Sequence, residues 1–362
     1  MTGSEPEVLD ALLRQDLVSF TRKAFEEVNP GDKFLDNWHI DCLCWHLERC
    51  YRGDIKRLII TLPPRHLKSI CASVAFPAWV LGHNPTRKLM CVSYSHDLAR
   101  KHALDTRTVM ESSWYRRVFR GTRFHPRKCT ETELMTNRMG LRYATSVGGT
   151  LTGLGGNFLI VDDPIKSDDV TSEAERNRVN HFYDSVLYSR LNNKNEDAII
   201  LIMQRLHVDD LVGHVLCKDD WTVLNMPAIA ERELTYEIGN GKSYTRQPGE
   251  VLHEAREGRN TLEVIKRQLG TPAFEAQYQQ QPFPPGGTLI RRAWLQNYPK
   301  ELPREEYDQV VQSWDTASTV SESSDYSVCI TFGIVGQTVH VLDVARVQLE
   351  YPQLRRRVIA EA

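Results

Sequence analysis

Residues 57–69, Arg-Leu-Ile-Ile-Thr-Leu-Pro-Pro-Arg-His-Leu-Lys-Ser, constrain the fold more than any other stretch of the chain. Arg57 to Leu62 reads as a buried strand, Pro63 and Pro64 stiffen a turn, and Lys68-Ser69 opens a helix. A strand that runs into a helix N-terminus leaves backbone N–H groups and the positive end of the helix dipole facing the loop, where phosphate oxygens find donors. In that frame the Lys68 ammonium reaches β- and γ-phosphate oxygens, and the Ser69 hydroxyl ligates Mg²⁺. The usual spacing, Gly-x-x-x-x-Gly-Lys-Ser/Thr, has glycines where this chain has Leu62 and Leu67. The loop is therefore expected to do without glycine's freedom at positive φ. A Lys-Ser pair alone also opens ordinary exposed helices, so a second element has to decide.

That element is Asn157-Phe158-Leu159-Ile160-Val161-Asp162-Asp163-Pro164, an apolar strand ending in two carboxylates where a Mg²⁺ ion and an attacking water need them. An acidic strand end can equally be a solvated turn. Five glycines in the eleven residues 146–156 precede this strand, a composition that lets backbone approach a ligand or a neighbouring subunit closely. A third apolar run, Ala198 to Met203, ends in Gln204-Arg205, where a residue sensing the γ-phosphate belongs. A plain core strand with a polar end is the alternative there. Taken together, the three runs point to nucleotide hydrolysis.

Matching segments continue through almost the whole chain: Trp38-His39, Tyr51-Arg52-Gly53, Leu62 to Ser69, Gly148 to Gly153, Val161-Asp162-Asp163-Pro164, Gln204 to Leu211, Tyr278-Gln279-Gln280-Gln281-Pro282 and Ser313-Trp314-Asp315-Thr316-Ala317. In this order they resemble the large terminase subunit of tailed bacteriophages, the motor and nuclease that packages DNA into the procapsid. Where that family usually has Gly before the Lys this chain has Leu67, and where its second motif often ends Asp-Glu this chain ends Asp-Asp.

The resemblance implies an α/β fold: a P-loop ASCE ATPase domain with a mostly parallel sheet, followed by the start of an RNase H-like nuclease domain. It implies ATP and Mg²⁺ as cofactors, with Mg²⁺ or Mn²⁺ at the nuclease site. Pro64, Arg65, His66, Leu67, Lys68, Ser69 and, on the adenine side, His39 would hold the nucleotide. Ser69 and Asp162 would ligate metal, Asp163 would handle water, Arg65 would stabilise charge on the γ-phosphate, and Gln204 would couple that state to motion. Asp315 would begin the nuclease site as catalytic residue and metal ligand. The implied partners are double-stranded DNA, the portal protein, the small terminase subunit and further copies of the chain in a ring. The setting would be the cytoplasm of the infected bacterium, outside the mature virion. A superfamily 2 helicase is the competing enzyme reading, disfavoured because no second RecA-like motor follows. A structural DNA-binding protein that has kept the fold without hydrolysis is the competing class.

Composition is that of an ordinary globular protein, 41% hydrophobic and 25% charged over 362 residues, a length that favours about two domains. No run reaches the ~18 apolar residues of a membrane span, and the N-terminus lacks the plan of a signal peptide. A net charge of -2 does not advertise nucleic-acid binding, so DNA contact falls to local patches. The candidates are Arg116-Arg117 with Arg120 and Arg123, Arg291-Arg292, and Arg355-Arg356-Arg357, each of which also reads as a solvated face. His39, Cys42, His46 and Cys50 share one face of one helix, which cannot surround a tetrahedral metal, and the eight cysteines are expected as reduced thiols.

The expected organisation is a helical lead-in over 1–53, with Trp38 and His39 near the adenine, an ATPase domain over 54–226, a linker region over 227–306 and an incomplete nuclease domain over 307–362. Strand and helix alternate over 57–62, 68–81, 88–93 and 97–110, a rhythm that gives a parallel sheet. A hairpin over 132–144 should edge it, and Ser172 to Glu175 should cap a helix running to Arg190. The polar, turn-rich stretch contains Gly239-Asn240-Gly241 and Pro284-Pro285-Gly286-Gly287 and one short helix near 261–269. Strands over 309–315, 326–334 and 338–344 and a helix from Tyr351 complete the chain. Two-metal cutting needs several carboxylates. Only Asp325 and Asp343 accompany Asp315, neither in a matching place, so the nuclease is expected to be inactive.

Overall fold

The computed structural model describes residues 5–151, 153–283, 296, 298, 302–316, 327–347 and 349–361. Two compact units divide the chain, Met1–Thr288 and Leu289–Ala362. In the first, the aliphatic runs become the strands of an eight-stranded sheet, ordered β3-β4-β5-β2-β6-β7-β1-β8. These are β1 (Arg57–Thr61), β2 (Lys88–Ser93), β3 (Phe124–Cys129), β4 (Glu133–Thr136), β5 (Leu141–Ser146), β6 (Phe158–Asp162), β7 (Ala198–Met203) and β8 (Thr222–Asn225). The six from β5 to β8 in that order are parallel. β4 and β3 continue the sheet antiparallel on one side. The expected 132–144 hairpin is thus present as β4 and β5, but β3, too polar to announce itself, forms the edge beyond it.

A parallel sheet is covered on both faces, so its central strands are apolar on every residue rather than on alternate ones. β6 and β7 are buried along their whole length. One face packs on α1 (Glu5–Gln15), α2 (Leu17–Val28), α3 (Trp38–Arg52), α4 (Phe76–His83), α5 (His96–Glu111) and α6 (Ser113–Val118). The other packs on α7 (Glu173–Phe182) and α8 (Leu211–Leu216). Burying one large aliphatic side chain is worth about 1.5–3 kcal/mol, so these two strands give a rigid platform to whatever sits at their carboxyl ends.

Two expected helices differ in detail. The helix after the Lys-Ser pair opens with a π-turn over Ile70–Ala75 before α4. The helix capped by Ser172, whose hydroxyl accepts from the Glu175 amide, loosens after Phe182 into π and 3₁₀ turns ending at Arg190.

The stretch expected as a linker is, as far as Gln281, folded structure of the first unit. β9 (Leu234–Gly239) and β10 (Lys242–Arg246) form an antiparallel hairpin through Gly239-Asn240-Gly241, all three at positive φ. α9 (Arg259–Leu269) and α10 (Thr271–Gln277) bury Leu262, Phe274 and Tyr278 with Ala228. Leu234 and Tyr236 pack onto the main core, which a linker has no reason to do. The Pro284 to Gly287 break and Arg291-Arg292 lie outside the described residues.

In the second unit β11 (Gln309–Asp315), β12 (Ser327–Val335) and β13 (Thr338–Val347) form an antiparallel sheet, followed by α11 (Tyr351–Glu361). Tyr326, expected to start the middle strand, and Asp325 lie outside the described residues. Among the described residues no helix is long and apolar enough to cross a membrane.

Candidate phosphate-binding site

β1, β7 and β6 are neighbours, so the loop after β1, the Gln204 end of β7 and the carboxylate end of β6 share one edge of the sheet. Ligands of open parallel sheets bind at that carboxyl edge. There Lys68 Nζ lies 3.0 Å from Asp163 Oδ2, with the lysine side chain 7% and the aspartate 24% exposed. The Ser69 hydroxyl donates to Asp162 Oδ1 at 3.1 Å, and the Ser73 hydroxyl donates to Oδ2 at 2.7 Å. The four residues singled out as phosphate, metal and water ligands are therefore one cluster.

The loop reaches this geometry without glycine by accepting strain. Leu67, at the expected glycine position, sits at φ 62°, and Arg65 at φ 65°. The turn is made at positive φ without glycine's freedom, at a cost of roughly 1–2 kcal/mol for each non-glycine residue. Leu62, at the other glycine position, is an ordinary buried residue whose amide donates to the Met203 carbonyl. Asp163 is also left-handed, at φ 45°, held by its amide on the Ile202 carbonyl and by the Tyr94 amide on its own carbonyl. Strained backbone of this kind gathers at functional sites.

Bracing comes from beneath. The Pro64 carbonyl accepts from His66 Nδ1 at 2.9 Å, and the His66 carbonyl accepts from His39 Nε2 at 3.3 Å. His39 is fully buried, so the expected stacking on adenine is corrected to a role holding the loop from below. Trp38 is occupied too, stacked at 4.6 Å on Tyr244 of the hairpin. The rings of His39, His66 and His253 lie 5.3–6.2 Å apart and, with Arg256, line a cavity of about 20 Å³.

Burial drives His66 down to about 4, opposed by its bond to Pro64 and helped by Arg256, His253 and Lys68. Burial lowers His39 and His253 as well. An unfolded His binds its proton near 6.5, so this neutrality contributes stability fully above that pH, lost as pH falls toward 4. For His66 the loss is on the order of 3 kcal/mol. The raised carboxyls of Asp162 and Asp163 act in the opposite sense, easing as pH falls. The melting temperature of His66→Gln should accordingly fall less than that of the unaltered chain between pH 7 and pH 5. Parallel melting curves would discount the histidine's part.

Burial raises both carboxyls, and Lys68 is the largest charge holding each down. Asp162 is 1% exposed, Ser73 1% and His102, whose Nδ1 lies 3.6 Å from Asp162 Oδ2, 6%. Ser73, His102 and the fully buried Arg142 of β5 were missed in the sequence. The signals were a serine four residues after Ser69, on the same helical face, and a lone arginine inside an apolar strand.

Gln204 reaches the cluster by its backbone, its amide donating to Asp163 Oδ1 at 3.4 Å. Its side-chain amide donates to Ser167 at 3.3 Å, while its buried Oε1 has no partner among the described residues. Arg205 forms a two-oxygen pair with buried Asp210, whose carboxylate also caps α8, and the Arg205 amide donates to Gln280. The Gln204 to Leu211 and Tyr278 to Gln281 segments are thereby tied to the same sheet edge. Arg65 is exposed.

Asp315 ends β11 and is exposed. Register pairs it with Val328, and pairs Gln312 with Thr331 and Thr331 with Asp343. Positions 312 and 315 face opposite sides of the sheet, so Asp343 points away from the Asp315 face and does not join it. Among the described residues no group of three His, Cys, Asp or Glu is arranged to hold a metal. Of the arginine patches, Arg116, Arg117, Arg120, Arg123 and Arg355 to Arg357 are all exposed; Arg117 pairs with Asp10, and Arg123 donates to carbonyls of Phe119 and Thr122. The cysteines at 42, 44, 50, 71, 91 and 329 are buried and form no disulfide.

No protein-family model matches the chain, and no curated protein matches it. Structural neighbours are large terminases of bacteriophages. The bacteriophage HK97 large terminase is 12% identical, with 99% of this chain and 71% of that one covered and a TM-score of 0.43. The large-terminase ATPase domain of Thermus phage P74-26 is 12% identical over 72% of this chain and 98% of that one, TM-score 0.44. A large terminase from a thermophilic bacteriophage in complex with ADP is 9% identical over 89% and 72%, TM-score 0.40. Likenesses this distant carry no argument about activity, which rests on the site itself.

Proposed function

We propose that the chain is an ATP-hydrolysing motor that translocates double-stranded phage DNA into a procapsid. One observation carries the hydrolytic part: Lys68 on Asp163 and Ser69 on Asp162, at the carboxyl edge of a parallel sheet. The lysine balances a carboxylate. A phosphate chain entering the loop offers the ammonium stronger partners, which frees Asp163 to orient water and accept its proton. A carboxyl raised by burial suits that task, since a general base works best with its pKa brought toward the operating pH. Arg65, exposed on the same loop, would reach charge developing on the γ-phosphate. Gln204, bonded through its amide to Asp163, would pass the state of the site to the chain beyond β7.

The donor set fits Mg²⁺. Ser69 Oγ and Asp162 Oδ1 are hard oxygen ligands side by side, and Mg²⁺ is commonly held by one or two such groups plus substrate phosphates. When bound it would neutralise charge on the phosphates. Motif resemblance supports the finer assignments: double-stranded DNA as substrate, a portal protein, a small subunit, a ring of copies, and an RNase H-like unit beginning at Asp315.

ATP turnover measured with Mg²⁺, with and without double-stranded DNA, tests the reading. Turnover raised by double-stranded DNA is expected. No hydrolysis under either condition would leave a structural DNA-binding protein, and strand separation would favour the helicase.

A further inference from the structure

Both oxygens of Asp162 are engaged, one by the residue that precedes the π-turn and one by a residue within it. Oδ1 accepts from Ser69, and Oδ2 accepts from Ser73 inside the π-turn Ile70–Ala75. π-Turns are rare and recur at functional sites. The Ser73 backbone is itself held: its carbonyl accepts from Arg142 Nη2 at 3.1 Å. Thr106 Oγ1 stands 3.4 Å from the same carbonyl, but its single proton has a shorter bond, 2.7 Å, to the His102 carbonyl. Arg142 is thus the main side-chain donor to this carbonyl. It is fully buried, and its Nε and Nη1 have no partner among the described residues. A buried guanidinium with most of its donors unmet costs stability, and this one has a single polar contact to show for it.

We propose that Ser73 and Arg142 are positioning residues in series: Arg142 fixes the Ser73 carbonyl, the Ser73 hydroxyl holds Oδ2 of Asp162, and Oδ1 beside Ser69 is left for a divalent cation. This rests on the proposed nucleotide site. Groups that orient a metal ligand without touching the metal typically change affinity by 10- to 100-fold.

The test is ADP binding by the full chain across a Mg²⁺ titration, with a parallel measurement in chelator. Ser73→Ala should raise the Mg²⁺ concentration at half-effect about 10-fold while leaving metal-free ADP binding unchanged. Arg142→Met should do the same, and Arg142→Lys should recover most of the loss. The double variant Ser73→Ala with Arg142→Met should be no worse than the worse single one, because the two act through one bond. General damage to the loop would weaken binding equally with and without metal. That equal loss, or a midpoint unchanged within about twofold, would overturn the inference. If Arg142→Met melts during purification, Ser73→Ala, which removes only a hydroxyl, decides alone. No ADP binding by the unaltered chain with or without Mg²⁺ would overturn the nucleotide-site reading and this inference with it, whereas ADP binding that ignores Mg²⁺, or Mg²⁺-dependent binding with indifferent variants, overturns the inference only.

Discussion

Lys68→Ala should lose ATP turnover by at least about 10²-fold, the scale on which one preorganised donor to transition-state charge is missed. The lysine is buried at the mouth of the loop, with its ammonium 3.0 Å from Asp163. Arg65, exposed on the same loop, is proposed for charge on the γ-phosphate and sits three residues before the Lys68 position, so it is not expected to take over the lysine's part. The substitution also removes the largest charge stabilising two buried carboxylates, so both should move further up and share a proton more readily. Breaking a buried pair by removing one partner costs about 3–5 kcal/mol when burial is complete. The quarter exposure of Asp163 argues for less here. Melting temperature separates the two effects, because a folded variant without turnover has lost chemistry rather than structure. Normal hydrolysis by folded Lys68→Ala would end the proposed role of this loop.

The parts of the site readable in the chain were those written in consecutive residues. An apolar strand, two prolines and Lys-Ser fix a strand-turn-helix locally, and Phe158 to Asp163 fixes a buried strand with an acidic end, so their roles could be named before their meeting was seen. What required the fold was everything brought from elsewhere. Ser73, His102 and Arg142 come from a π-turn, a helix and a strand that only tertiary packing places around Asp162. The loop's positive φ at Leu67 was hidden because glycine is the usual signal and this chain bears strain instead. Trp38 and His39 were misread for a related reason. An aromatic next to a histidine near a phosphate loop suggests a base pocket, but Tyr244 covers the indole and His39 points under the loop. The supposed linker misled because polarity and turns were counted over it as a whole. Among its apolar residues Leu234, Tyr236 and Leu252 reach the main core while Leu262, Phe274 and Tyr278 build a small one of their own, and spacing alone cannot show where a short strand will dock.

Asp162 and Asp163, adjacent in sequence, should fail differently. Asp162 ends β6 and is 1% exposed, whereas Asp163 follows at a left-handed φ of 45° with a quarter of its side chain exposed. Asp162 meets two serine hydroxyls, and Asp163 meets Lys68 and the Gln204 amide. Asp162→Asn keeps the shape but removes the charge opposite a cation, so it should weaken Mg²⁺-dependent nucleotide binding as well as turnover. Asp163→Asn leaves that oxygen cluster intact and removes the group that takes a proton, together with the charge that Lys68 pairs with. Binding of Mg²⁺ and ATP should persist while hydrolysis falls about 10²–10⁴-fold, the range for a general base. Asparagine at 163 also tolerates the left-handed backbone better than most residues, so the turn itself should survive. Titrating nucleotide binding against Mg²⁺ beside single-turnover hydrolysis resolves the two. Equal binding losses in both variants would show that the carboxylates act as one unit, and a binding loss confined to Asp163→Asn would reverse the assignment.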